Sequence, residues 1–376
     1  MDTIRYTAEP PHPGPGRRAL LAGGTGLLGL LVLGAAATTT VPRPGAATAA
    51  PAAPAAALRL GFFANLTHAP AHVGTANGLF ARELAGSGTA LETSIFGAGP
   101  EAVEALNAGA IDAAYLGPNP AIAAFTASGG RGLRVVAGAA AGGAQLVVRA
   151  GINDAAALRG KTLATPQLGG TQDVALRTWL AARGLKTDLR GGEVSITPTA
   201  NAQTLELFRA GTIDGAWLPE PWSSRLVLEA GARVLVDEAD LWDGKDTGAP
   251  GKFPTTVLAV SPDFAARHPA TVDALLRGHL AALDWINTAK RPELVKTLNT
   301  QLEQLAGAAL SPAVLERALG KLAFTADPLA GAYPRLQANA VAASLAEPAS
   351  LDGLVDTAFL DRARAARTEA GAGAGA

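Results

Sequence analysis

Cysteine is absent from all 376 residues. That excludes a disulfide frame, a thiolate metal site, a thiol nucleophile and attachment through a lipidated cysteine. An excess of one charge is also absent, since 31 Lys and Arg stand against 32 Asp and Glu. A surface that reads nucleic-acid phosphates needs a large basic excess, so nucleic acid is set aside as a partner. No Gly-x-Ser-x-Gly elbow occurs, and serine-hydrolase chemistry has no anchor. Gly160-Lys161-Thr162 looks like the tail of a phosphate loop, but the glycine required five residues earlier is Ala155. His68 and His72 have the spacing of metal ligands, yet no acidic residue lies nearby and Pro70 falls between them. Nothing calls for a cofactor, a metal or a catalytic residue.

What is present starts with a targeting layout. Arg17-Arg18 precedes an apolar run from Ala19 to Ala37 that ends in small residues. This order of charge, apolar core and small residues is that of a secretory signal, and the arginine pair resembles a twin-arginine signal. The run is also near the ~20 residues that a spanning helix needs, so an uncleaved anchor stays open. Residues 1–37 are therefore read as a signal and 38–57, rich in Ala, Pro and Thr, as a linker. The expected location is outside the cytoplasm or at the cell surface, without a cysteine anchor.

An internal repeat organises the rest. Glu104–Leu116 and Glu206–Leu218 match, with Gly109 on Gly211, an offset of 102 (211 − 109 = 102). At the same offset Leu58–Ala69 falls on Gly160–Thr171, and Leu91–Pro100 on Glu193–Ala202. Each copy alternates short apolar strands with helical segments, which implies an α/β layer fold with mainly parallel sheets. The runs Gln145–Val148 and Thr255–Val260 read as crossing strands between two lobes. The expected organisation is lobe 1 from 58–144 and 257–350, lobe 2 from 145–256, and a C-terminal extension over 351–376. Its Gly/Ala tail from Glu369 is expected to be disordered. Asp112 and Asp214 share a repeat position and read as turn formers.

Ligands in such sheets bind beyond the carboxyl ends of the strands, where helix N-termini offer free N–H groups and partial positive charge. The segments placed there are Ala64–Pro70, Gly97–Pro100, Gly117–Pro120, Pro166–Gln172, Thr199–Asn201 and Pro219–Trp222, with Gly142-Gly143 leading into the first crossing strand. Thr67 is a candidate N-cap, and Thr171 can cap or contact a ligand. His68 reads as a hydrogen-bond donor or as local packing. Trp222 can stack on an organic tail, seal the cleft or pack in the core.

These segments resemble one family. Leu58–Ala71, Gly109–Pro118, Thr165–Asp173 and Gly211–Trp222 are similar to landmarks of the aliphatic-sulfonate, nitrate and taurine binding proteins of ABC importers. The resemblance runs over roughly residues 58 to 350. It implies a type II periplasmic-binding fold, two lobes closing on a small anion, no enzymatic turnover and delivery to the permease subunits in the membrane. It implies a monomer whose ligand is an aliphatic sulfonate or taurine, with nitrate, a pyrimidine or a flavin as the other readings. Carried onto this sequence, the binding role falls on Asn65, Thr67, His68, Gly117, Pro118, Asn119, Gly143, Gly170, Thr171, Gln172, Asn201, Glu220 and Trp222. Glu220 would repel an anion unless it meets a ligand amine or caps a neighbour.

Overall fold

The computed structural model describes residues 53–187 and 192–373. The signal expected at 1–37 and most of the linker lie outside the described residues. From its start the described chain follows the repeat. β1 (Ala57–Phe63), α1 (Ala69–Ala76), α2 (Leu79–Ala85), β2 (Ala90–Phe96), α3 (Gly99–Asn107), β3 (Ala113–Leu116) and α4 (Pro118–Ala127) make the first copy. β4 (Arg134–Gly142) and β5 (Ala144–Val148) follow as a connection. The second copy is β6 (Thr162–Thr165), α5 (Thr171–Ala181), β7 (Ser195–Pro198), α6 (Asn201–Arg209), β8 (Gly215–Pro219) and α7 (Trp222–Ala230). The bounds of α3 and α6 differ by the repeat offset at both ends (201 − 99 = 209 − 107 = 102).

Repeated sequence makes repeated bonds. The Asp112 carboxylate accepts the Arg59 backbone N–H at 2.9 Å and pairs with its guanidinium. One offset later, Asp214 accepts the Thr162 N–H at 2.9 Å and pairs with Lys161 at 3.6 Å. These residues therefore do more than form turns, because each pins the start of its copy's first strand.

Each sheet is mixed. In the first, β2, β1 and β3 are parallel, β10 (Pro254–Val260) lies antiparallel between β3 and β4 so that β4 runs with the repeat strands, and β11 (Leu322–Phe324) is antiparallel to β4 at the edge. In the second, β7, β6 and β8 are parallel, and β5 lies antiparallel between β8 and β9 (Arg233–Asp237), so that β9 runs with the repeat strands. The expectation of mainly parallel sheets thus applies to the three repeat strands of each. Only β5 and β10, each entering from the opposite sheet, and the edge strand β11 run the other way. Neither β5 nor β10 spans both sheets. The chain crosses at Gly142-Gly143, both at positive φ (76° and 72°). A side chain at Gly143 would collide with Leu322, so the turn requires glycine. The result is a two-lobed α/β fold with helices on both sheets.

The rest is α8 (Pro262–Arg267), α9 (Pro269–Thr288), α10 (Arg291–Ala306), α11 (Pro312–Leu319), α12 (Tyr333–Ala342) and α13 (Ala358–Gly373). Helix α13 runs from the expected C-terminal extension through Glu369 to Gly373. It buries Leu360 and Ala363, and Arg362 and Arg367 pair with Asp273 and Asp284 of α9. The stretch Ala69–Ala85 forms two helices, α1 and α2, separated at Gly78, which takes φ 62°. Among the described residues no helix is long and apolar enough to cross a membrane.

One buried carboxyl gives this fold a pH signature. Glu238 is 3% exposed and accepts the Trp217 Nε1–H at 2.8 Å. Burial outweighs that bond and pushes its pKa up from 4.5 to about 7. Between those values the folded chain holds a proton that the unfolded chain releases, so its contribution to stability falls as pH rises through that window. Glu238→Gln should flatten this loss, a difference of about 3 kcal/mol between pH 4 and 8 in urea unfolding. Parallel pH curves for the two proteins would refute the assignment.

Candidate functional site

Every strand of the two repeat copies ends at the same place. After β1 the chain turns through Asn65 into a short 3-10 turn, Leu66–His68, and α1. After β2, β3, β6 and β7 it enters α3, α4, α5 and α6. The N-cap residues of α1, α3, α4, α5 and α6 are His68, Ala98, Gly117, Gly170 and Ala200, and none makes a side-chain cap. Elsewhere the chain does cap its helices, as Ser261 does for α8 and Ser311 for α11. Five helix starts thus keep their first N–H groups free of a side-chain acceptor, each at the positive end of a helix.

A cavity lies where they meet. It offers about 40 Å³ to the centre of a water molecule, room for about three waters or one small anion. Its wall is Phe63, Asn65, Thr67 and His68; Gly97, Ala98 and Gly99; Gly117 and Pro120; Pro166, Gln167, Gly170, Thr171 and Gln172; Asn201, Pro219, Thr255 and Thr256. This wall contains no Asp, Glu, Lys or Arg. Four buried polar atoms in it have no partner: Gln167 Oε1, Thr171 Oγ1, Asn201 Oδ1 and Thr256 Oγ1. Interiors rarely leave such atoms unpaired, so their convergence marks a place for a polar guest.

His68 is neutral. Burial, and then the neighbouring His72, hold its pKa well below the usual histidine range. Its Nδ1 accepts the Phe63 N–H at 3.3 Å, which puts the ring proton on Nε2 as a donor. His72 turns away and bonds the Asn65 carbonyl through Nε2 at 3.0 Å. Asn65 is also held by its side chain, because Oδ1 accepts Trp222 Nε1–H at 2.8 Å and Asn201 Nδ2–H at 3.5 Å. Those two bonds join the first copy to the second and aim the Asn65 amide.

Eight residues expected here line the cavity: Asn65, Thr67, His68, Gly117, Gly170, Thr171, Gln172 and Asn201. Thr67 does not act as an N-cap, and Thr171 is the first residue of α5 rather than its cap. Five do not line it. Pro118 opens α4. Asn119 points behind the cavity and donates to the Leu336 carbonyl at 3.2 Å. Gly143 serves the crossing turn and accepts the Glu220 N–H at 2.8 Å. Trp222 acts through Asn65. Glu220 is fully buried, accepts the Ser224 N–H at 3.1 Å and pairs with Arg317 of α11 at 3.3 Å. It needs no ligand amine, which resolves its apparent conflict with an anion. Phe63, Thr255 and Thr256 went unnoticed in the sequence because their strands read as scaffold. The free hydroxyl of Thr256 has no local signature.

Known proteins share this fold. The model of the NMT1-like family matches residues 51–299. The nitrate/nitrite binding protein NrtA of Nostoc sp. strain PCC 7120 is 26% identical over 156 residues, covering 42% of this chain and 32% of that protein. The taurine-binding periplasmic protein of Escherichia coli K12 is 28% identical over 216 residues, covering 57% of this chain and 62% of that protein. The chain spans between 16% and 32% of the length of the first curated relatives it matches. Among solved structures, the alkanesulfonate-binding protein SsuA of Xanthomonas axonopodis pv. citri, bound to MOPS, superposes with a TM-score of 0.65 at 24% identity, over 81% of this chain and 99% of that one.

Proposed function

The chain belongs to the NMT1-like family, and from that premise we propose that it is the extracytoplasmic solute-binding protein of an ABC importer. It captures a small organic oxyanion between its lobes, most simply an aliphatic sulfonate or taurine, and presents the closed form to the permease subunits. The carrying observation is the charge-free cavity where five uncapped helix starts meet four unpartnered polar atoms. Fixed N–H dipoles suffice for an anion that never takes a proton, and helix N-termini bind such groups without a counter-charge. On this reading residues 1–37 direct export, the protein acts as a monomer, and the ligand leaves unchanged. A second reading, nitrate, draws support from the small volume of the cavity.

Thermal unfolding of the purified protein against methanesulfonate, taurine, nitrate and sulfate tests this. At ~100 times its dissociation constant a ligand adds roughly 2.7 kcal/mol of stability. A sulfonate should do so in the wild type and fail in the His68→Ala/Thr171→Ala double variant. Stabilisation by a neutral heterocycle and by none of the anions would refute the anion assignment while keeping the receptor.

A further inference from the structure

A second cavity lies along one face of α5. Thr171, Val174 and Thr178, at steps of three and four residues, line it beside Ala175 and Trp179, four apart, so one face of the helix forms its floor. It offers about 200 Å³ to a water's centre, against about 40 Å³ in the first. Leu336 of α12 and Trp242 add apolar wall, Arg183 and Arg335 lie over the Trp179 and Trp242 rings at 3.9 and 4.2 Å, and the Glu238 carboxyl and Asn339 complete it. Three buried polar atoms in this wall have no partner: Asn119 Oδ1, Trp179 Nε1 and Thr171 Oγ1. Their residues are 3%, 6% and 4% exposed. The Asn119 amide nitrogen is already bonded to Leu336, which fixes Oδ1 as an acceptor. One acceptor and one indole donor, beside two planar guanidiniums on which a ring can stack, suit a flat ring with a hydroxyl at its edge.

Thr171 stands in the wall of both cavities, and its hydroxyl rests against Gly117 with no hydrogen bond to hold it. A turn about its χ1 would join the two spaces. We propose that the second cavity receives the organic body of the bound anion, that this body is aromatic with a hydroxyl-type edge group, and that Thr171 is the partition between head and body. The proposal rests on the anion-receptor reading of the first cavity.

Calorimetric titration of the full chain with methanesulfonate and 4-hydroxybenzenesulfonate, in the wild type and in Ala175→Trp, tests it. Ala175 lines the second cavity only. The aryl ligand should bind the wild type about tenfold tighter or more, as burying a ring predicts. Ala175→Trp should erase that gain and leave methanesulfonate within about twofold. Equal affinities in the wild type, as expected if the cavity holds water alone, would overturn the proposal, as would equal weakening of both ligands by the variant. Should Ala175→Trp lose its melting transition, Trp179→Phe carries the test, because it removes the indole donor and part of the wall of the second cavity only and must weaken the aryl ligand alone. Heat from methanesulfonate alone in the wild type overturns this proposal and keeps the receptor. Heat from neither overturns the receptor reading itself.

Discussion

Gly117→Val is expected to abolish stabilisation by any anion while leaving the ligand-free protein folded. Gly117 has φ −73° and ψ 155°, a conformation open to every residue, so the substitution carries no backbone strain. A Cβ there would collide with Thr171 Oγ1 and would meet Pro120 only at 3.5 Å. Thr171 belongs to the helix that follows β6 in the second sheet, whereas Gly117 follows β3 in the first. The clash therefore opposes the approach of the lobes and not the packing of either one. Two melting curves decide the matter. Without ligand the variant should unfold within about 1 kcal/mol of the wild type, the usual range for a substitution away from core packing. With saturating ligand the gain of roughly 2.7 kcal/mol should be missing. A variant that is still stabilised by the anion would show that closure does not need this contact.

Arg317→Ala should cost about 3–5 kcal/mol, the usual result of stranding one member of a buried ion pair. Arg317 donates to Glu220 at 3.3 Å, to Ser224 Oγ at 2.6 Å and to Gln145 Oε1 at 2.8 Å. It thereby ties α11 to both β5 and α7. Glu220 is fully buried, and burial already raises its pKa against the pull of the serines and Arg317. Without the guanidinium the carboxyl rises further, so the folded variant takes up a proton that the unfolded chain does not hold. The variant's deficit should therefore shrink as pH falls and grow as pH rises. Glu220→Gln/Arg317→Met should be less destabilised than Arg317→Ala alone, since no charge is then left buried. Urea unfolding at pH 5 and pH 8 measures all three. A deficit independent of pH would mean that Arg317 matters through packing and not through Glu220.

The duplication was legible because it repeats residues with strict backbone demands. Gly109 and Gly211 both take positive φ, at 66° and 79°, and Asp112 and Asp214 both hold a strand start. Segments at strand ends could be placed near the cavity for the same reason. The direction of their side chains could not. Asn119 sits two residues from a lining glycine yet faces the opposite way, and Glu220 is claimed by an arginine 97 positions later. β4 escaped notice because Arg134–Gly142 is mostly Ala and Gly, residues of low strand propensity that pack here through close backbone approach. At Gly138 a Cβ would strike the Asp327 backbone. The second cavity is assembled from α5, α12 and Trp242, and no single stretch of sequence announces it.

The strand order also sets a timetable for synthesis. The second sheet is complete within residues 144–237 and can assemble as soon as that stretch emerges. The first sheet cannot. β4 pairs with β10 and β11, with one further bridge from Val135 to Val355, and β10 lies between β3 and β4. A ribosome that has finished Gly142 has released three paired strands and one strand with no neighbour. The gap stays open until Pro254–Val260 arrives. The half that is made first is thus finished last, through a non-local pairing of the kind that slows folding. A chain stalled before β10 would expose a long apolar strand edge to whatever chaperone or translocase holds it.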